Sequence, residues 1–173
     1  MKGRNYRIPS GMPYTRREFI PGAPQCKIAK FSAGSPHEDY DVKLQLISDG
    51  RVQIRHNALE AARIAINKKL SDIGDKNYYL QVKVYPHIVL RENKMIATAG
   101  ADRLQEGMRR AFGKPVGLAA RVSRGSVLFE ISVKKEYLDR AKEALKAAST
   151  KLPVITKIKE IPLKITPSVK AAS

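Results

Sequence analysis

Tryptophan is missing from this 173-residue chain, and aromatic residues make up only 6% of it. So few rings argue against an aromatic platform on the strands for stacking single-stranded bases. The one cysteine, Cys26, excludes an internal disulfide and suits a reducing compartment. A small, partly buried side chain accounts for it better than a nucleophile does. The three histidines, His37, His56 and His87, show no metal-ligand spacing, so no metal site and no cofactor is expected. No stretch approaches the ~20 consecutive apolar residues of a membrane-spanning helix. Residues 1–11 are basic and lack the apolar run of a signal peptide, so no membrane partner is expected. Acidic residues are scarce as well: 16 Asp and Glu face 33 Lys and Arg, for a net charge of +17. Such an excess calls for a polyanionic partner, because otherwise it only repels itself in the folded state.

The positive charge has a pattern. Through Lys30, seven cations (Lys2, Arg4, Arg7, Arg16, Arg17, Lys27 and Lys30) face one acid, Glu18. Pro9, Pro13, Pro21 and Pro24 rule out a long helix over residues 1–25 and favour an extended arm. Tyr6, Tyr14 and Phe19 are interleaved with the cations, a composition suited to tracking along RNA. Backbone phosphates are the expected partners of these seven residues, with binding that weakens as salt rises.

Beyond the arm, alternation predicts strands over 26–31, 42–47 and 52–54, with Leu44 and Leu46 on the face opposite Lys43 and Gln45. A helix capped by Asn57 follows. Leu59, Ala62, Ile66 and Leu70 form its apolar stripe, and Gly74 stops it. Strands are expected over 79–85 and 88–90. Another pair, 118–122 and 127–133, reads as a hairpin joined at Ser123–Ser126. A second helix over 135–150 carries Leu138, Ala141, Leu145 and Ala148, with Lys142 and Lys146 on its solvated side; a last strand covers 154–161. The pattern predicts an α+β fold: two helices covering a mixed or antiparallel sheet in two layers. Residues 1–25 form the arm, 26–161 a single domain, and 162–173 a mobile basic tail.

Between the strand ending near Met95 and the next lies a long loop, about 97–118, holding Gly100, Gly107, Gly113 and Gly117 beside Arg103, Arg109, Arg110 and Lys114. Connections of this length inside a compact domain tend to be functional or disordered. Gly107 to Lys114 superficially matches a phosphate-binding P-loop. However, five residues separate Gly107 from Gly113 instead of four, and Pro115 stands where the metal-binding hydroxyl belongs. Nucleotide hydrolysis is therefore not expected. Asp102 and Glu106 share the loop with its cations, so local ion pairing accounts for them, and no nucleophile, base and orienting group can be assembled.

The segment GADRLQEGMRRAFGKP (100–115) resembles the large-subunit ribosomal protein family called L-ten-e in archaea and eukaryotes, the counterpart of bacterial L-sixteen. YTRREFIPGAP (14–24), ALEAARIAINK (58–68), HIVLRENKM (87–95), GSVLFEI (125–131) and ASTKLPV (148–154) support the same resemblance, which spans residues 1–161. It implies an α/β-hammerhead-like domain in a cytoplasmic, ribosome-bound protein that is not an enzyme. Its expected partners are large-subunit rRNA, tRNA and neighbouring ribosomal proteins. By the resemblance, the arm holds rRNA near the A-site tRNA channel. The loop, with Arg103, Arg109, Arg110 and Lys114, reaches towards the peptidyl transferase centre and supports tRNA positioning and subunit maturation. A free basic RNA chaperone or RNA-processing factor is the alternative.

Overall fold

The computed structural model describes residues 1–36, 39–94 and 111–163, apart from the side chain of Arg17. Arg103, Arg109 and Arg110, and the tail beyond residue 163, lie outside the described residues.

Alternating apolar residues build a five-stranded antiparallel sheet in the order β1 (Ser32–Gly34), β4 (Tyr78–Val82), β7 (Val127–Val133), β2 (Val42–Ser48), β8 (Thr156–Pro162). Its inner face carries Leu44 and Leu46 on β2, opposite Ile131 and Phe129 on β7, with Leu80 next to Ile131 on β4; all are buried. Its outer face is polar, with Lys43, Gln45, Glu130, Ser132 and Gln81, as expected for an antiparallel sheet covered on one side. β7 carries one extra residue, Leu128, opposite the Leu46–Ile47 step.

A second antiparallel sheet has three strands, β3 (Val52–Arg55), β6 (Lys114–Val122) and β5 (Ile88–Glu92), with β6 in the middle. Val52, Ile54, Ala120 and Val122 join the same core as the larger sheet. Helix α1 (His56–Leu70) buries Leu59, Ala62, Ile66 and Leu70 completely, the expected stripe. Helix α2 (Leu138–Ser149) buries Ala141, Ala144, Leu145 and Ala148. α2 lies on β2, β7 and β8, while α1 packs on α2 and reaches β3 and β6, so α1 ties the small sheet to the large one. A 3₁₀ turn (Ser71–Ile73) follows α1, and Gly74, at φ +89°, ends it by donating its N–H to the Ser71 carbonyl.

The architecture is α+β, as expected, but the strands form two sheets rather than one. The expected hairpin of 118–122 with 127–133 does not exist. β6 is bordered by β3 and β5, and β7 by β4 and β2, so Ser123–Ser126 is a crossing between sheets. The β2-to-β3 crossing runs beside it: the Ser48 N–H donates to the Ser126 carbonyl at 2.9 Å, and the Gly125 N–H to the Ser48 carbonyl at 2.8 Å. The expected strand over 26–31 is also absent. Its Lys27 N–H goes to His56 Nδ1 (3.3 Å) and its Ala29 N–H to Glu60 Oε2 (3.3 Å), so α1 side chains take the donors a neighbouring strand would have used. Asn57 does not cap α1, which starts one residue earlier from an extended Arg55 that makes no side-chain cap. Finally, 114–118 belongs to β6, so the strand part of the expected loop is already ordered into the small sheet.

Candidate nucleic-acid interface

The arm does not project from the body; it crosses the three-stranded sheet. At one edge the Gln53 N–H of β3 donates to the Arg7 carbonyl at 2.8 Å, and the Gln53 side-chain amide donates to the Tyr6 carbonyl at 2.6 Å. At the other edge the Val89 N–H of β5 donates to the Tyr14 carbonyl at 2.8 Å. Over the central strand, the Arg121 guanidinium donates to the carbonyls of Gly11 (2.9 Å) and Ser10 (3.0 Å), and to Gln53 Oε1 (3.3 Å). The sheet would otherwise expose N–H groups on both edges, a template for unwanted strand pairing. The arm takes one backbone N–H on each edge.

After crossing, the chain is stapled again. Ile20, nearly buried at 4% exposure, packs on Val89 and Leu118, with Ala23 and the partly buried Cys26 beside it. Lys27 and Ala29 then bond to α1 as described, and Ile28 enters the main core. His56 accepts the Lys27 N–H on Nδ1, so its neutral ring carries its proton on Nε2. Burial, and then the charges of Lys27 and Arg55, hold its pKa below the usual 6.5. These anchors fix the arm's backbone and leave its charged ends outside.

At the root of the loop, the Arg91 guanidinium lies between two rings, 3.4 Å from the Phe112 centroid and 4.0 Å from that of Tyr14, and donates to the Phe112 carbonyl. Tyr14 and Phe112 meet edge to face at 5.7 Å. Arm, β5 and the returning loop strand therefore share one joint. Gly113 sits inside it at φ +76°, where a Cβ would come within 2.8 Å of the Asn93 nitrogen. The backbone this glycine admits is the chain's own, at Glu92 and Asn93. Beside the joint, under the arm, lies a cleft of about 370 Å³ lined by residues that include Asn5, Ser10, Asn93, Arg91 and Phe112.

Charge is divided unevenly over the surface. On the body, Asp49 pairs with Arg124 and Lys157 (both 3.0 Å), Glu160 with Lys142 (2.6 Å) and Glu60 with Arg63 (2.6 Å). Hydrogen bonds from Lys157 and Arg124 hold the Asp49 pKa below its usual value, and Arg63 does the same for Glu60. Burial pushes the Glu130 carboxyl up, but bonds from Gln45 and Lys83 outweigh it, and the net shift is down. On the arm, Lys2, Arg4, Arg7, Arg16, Lys27 and Lys30 are all exposed, and none forms an ion pair among the described residues. Arg17 lies in a 3₁₀ turn (Arg17–Phe19), and Arg16 stands 6.0 Å over the Phe19 ring. Lys114 is exposed at the first position of β6.

Arg55, Arg91 and Arg121 were not singled out from sequence, yet they organise this face. Arg55 lies over the Tyr6 ring at 5.7 Å, and its Nε is buried without a hydrogen-bond partner among the described residues. A usable sign was available: arginines standing at strand positions in short apolar runs. The arrangement brings together unpaired cations, aromatic rings and a polar cleft, a chemistry suited to phosphate and base contacts and not to covalent catalysis.

The family described as Ribosomal protein L16p/L10e matches residues 9–159. The chain is 62% identical over 156 residues to the large ribosomal subunit protein uL16 of Hyperthermus butylicus, an overlap covering 90% of this chain and 87% of that protein. To the uL16 proteins of Staphylothermus marinus and Metallosphaera sedula it is 59% and 55% identical, over 93% and 94% of each chain. With a family match across most of its length and relatives this similar end to end, the chain belongs to the L16p/L10e family of ribosomal proteins.

Proposed function

We propose that this protein binds large-subunit rRNA through the arm and the three-stranded sheet beneath it. Its place there is near the A-site tRNA channel, where the loop extends towards the peptidyl transferase centre. Family membership carries the coarse part: the chain is a structural constituent of the large ribosomal subunit, acts on the ribosome in the cytoplasm, and is not an enzyme. The observation that supports the rest is the row of exposed arm cations without acidic partners among the described residues, held on a backbone that the sheet has already fixed. A prefixed backbone lowers the ordering cost of placing those cations on phosphates. Lys2, Arg4, Arg7, Arg16, Arg17, Lys27 and Lys30 are the rRNA contacts in this reading. Arg103, Arg109, Arg110 and Lys114 are the loop cations near tRNA, supporting tRNA positioning and subunit maturation.

Cosedimentation tests the proposal. The full chain is expected to travel with large subunits through moderate salt. A variant with Lys2, Arg4, Arg7 and Arg16 changed to Gln should be displaced at lower salt while its unfolding midpoint stays unchanged. Equal salt resistance of the two proteins would contradict the arm's role.

A further inference from the structure

We propose that the joint between arm and loop is a binding site for one unpaired RNA base, stacked on Phe112 at the mouth of the neighbouring cleft. This rests on the reading of the basic face as an RNA surface and adds what part of the RNA is held there.

Phe112 is 54% exposed and Tyr14 47%, although both belong to a well-defined cluster. Arg91 covers one face of the Phe112 ring, and Tyr14 meets it edge-on, so the ring is fixed in orientation while much of it stays open to solvent. An oriented aromatic face with a cation behind it is the surface on which bases stack, at low entropic cost because it is already ordered. The paucity of rings in the strands led to no such platform being expected, but here the rings come from the arm and the loop root. The cleft beside them falls in the size range of small-ligand pockets, roughly 300–1,000 Å³. Its polar lining, which includes Asn5 and Ser10, suits the polar edge of a base.

The surroundings favour RNA over a protein partner. Lys94 and Lys114 are exposed on the two chains leading to the loop, and Arg16 is exposed on the arm. Glu92, opposite Lys114 on β5, is engaged by the Met1 amino group at 3.2 Å. A phosphate chain entering here meets cations, with the acid of β5 already occupied. A base inside a duplex has both faces stacked, so the ring selects a base that has left its helix.

The test uses the full-length chain and two RNAs: a hairpin with 2-aminopurine unpaired in its loop, and a continuous duplex of equal length with 2-aminopurine paired. The wild-type chain is expected to quench the loop fluorophore and to bind the hairpin more tightly than the duplex. F112L is expected to lower hairpin affinity about tenfold and to leave duplex affinity unchanged, with only a small drop in thermal unfolding from the lost Arg91 and Tyr14 contacts, while F112W restores the preference. Hairpin binding by F112L equal to wild type, or equal losses on both RNAs, would overturn the site while leaving the RNA-binding reading standing. A wild-type chain that bound neither RNA would overturn that reading, and the base site with it.

Discussion

The two sheets of this protein handle charge and edges in opposite ways. The five-stranded sheet buries one face under α2 and neutralises charges on and beside it through pairs such as Asp49 with Arg124 and Lys157, and Glu130 with Lys83. The three-stranded sheet has a single acid, Glu92, against Arg55, Arg91, Lys114 and Arg121, and the arm that bonds to both its edges adds exposed cations that form no ion pair among the described residues. The first half satisfies much of its charge internally. The second gives up internal charge satisfaction and keeps its backbone in order by strapping an arm over it. The lesson is that an extended basic segment need not be loose to be available to RNA: its carbonyls bind inward and its side chains stay outward.

The comparison breaks most sharply at Gly113. With φ at +76° and the Asn93 nitrogen in the way, Gly113→Ala is expected to destabilise the small sheet by about 3 kcal/mol, combining left-handed strain and overpacking. Gly125, at φ +86° with nothing within 4 Å, offers the control, since Ala there meets only the conformational penalty of about 1–2 kcal/mol. Urea unfolding measures both. Equal effects would show that Gly113 is not a close-approach position.

Next in size is the strap. Arg121→Ala removes the guanidinium that holds the Ser10 and Gly11 carbonyls over β6, a loss of about 1–2 kcal/mol. Limited proteolysis should then cut within residues 8–16 well before the body opens. Resistance equal to wild type would mean that the edge bonds to Arg7 and Tyr14 are enough.

How far the chain's pattern revealed all this depends on the range of the interaction. The helix stripes, Leu59 to Leu70 and Ala141 to Ala148, follow from spacing within a few turns, and so does the inward face of β2. Which sheet each strand joins does not, because β6 and β7 read as equally good partners and only their other neighbours separate them. Residues 26–31 look like a strand because alternation records burial, and Ile28 is indeed buried; it does not record that His56 and Glu60 take the intervening N–H groups. The arm's cations stood out by number alone. The strap itself did not, since Arg121 meets Ser10 across 111 positions of sequence.

The smallest effect is set by pH. The folded pKa of His56 lies below the usual 6.5, so on acidification the unfolded chain binds the proton first. The contribution of neutral His56 is complete above pH 6.5 and shrinks as pH falls below it towards the folded value, where protonation also breaks the Lys27 bond. Denaturation midpoints from pH 7.5 down to 5 should decline, and His56→Gln should flatten that decline. An unchanged slope in the variant would remove His56 from the arm's attachment.

The division between the halves is tested most directly by salt. One variant changes Lys2, Arg4, Arg7 and Arg16 to Gln; the other changes Arg124, Arg140, Lys142 and Lys157, so that both lose the same charge. Affinity for a large-subunit rRNA fragment is measured against salt concentration for each. The arm variant is expected to lose about three units of log–log slope, at roughly 0.7–0.9 per phosphate contact, and the body variant almost none. Equal losses in the two would show that RNA responds to net charge alone, and would contradict the division of labour between the sheets.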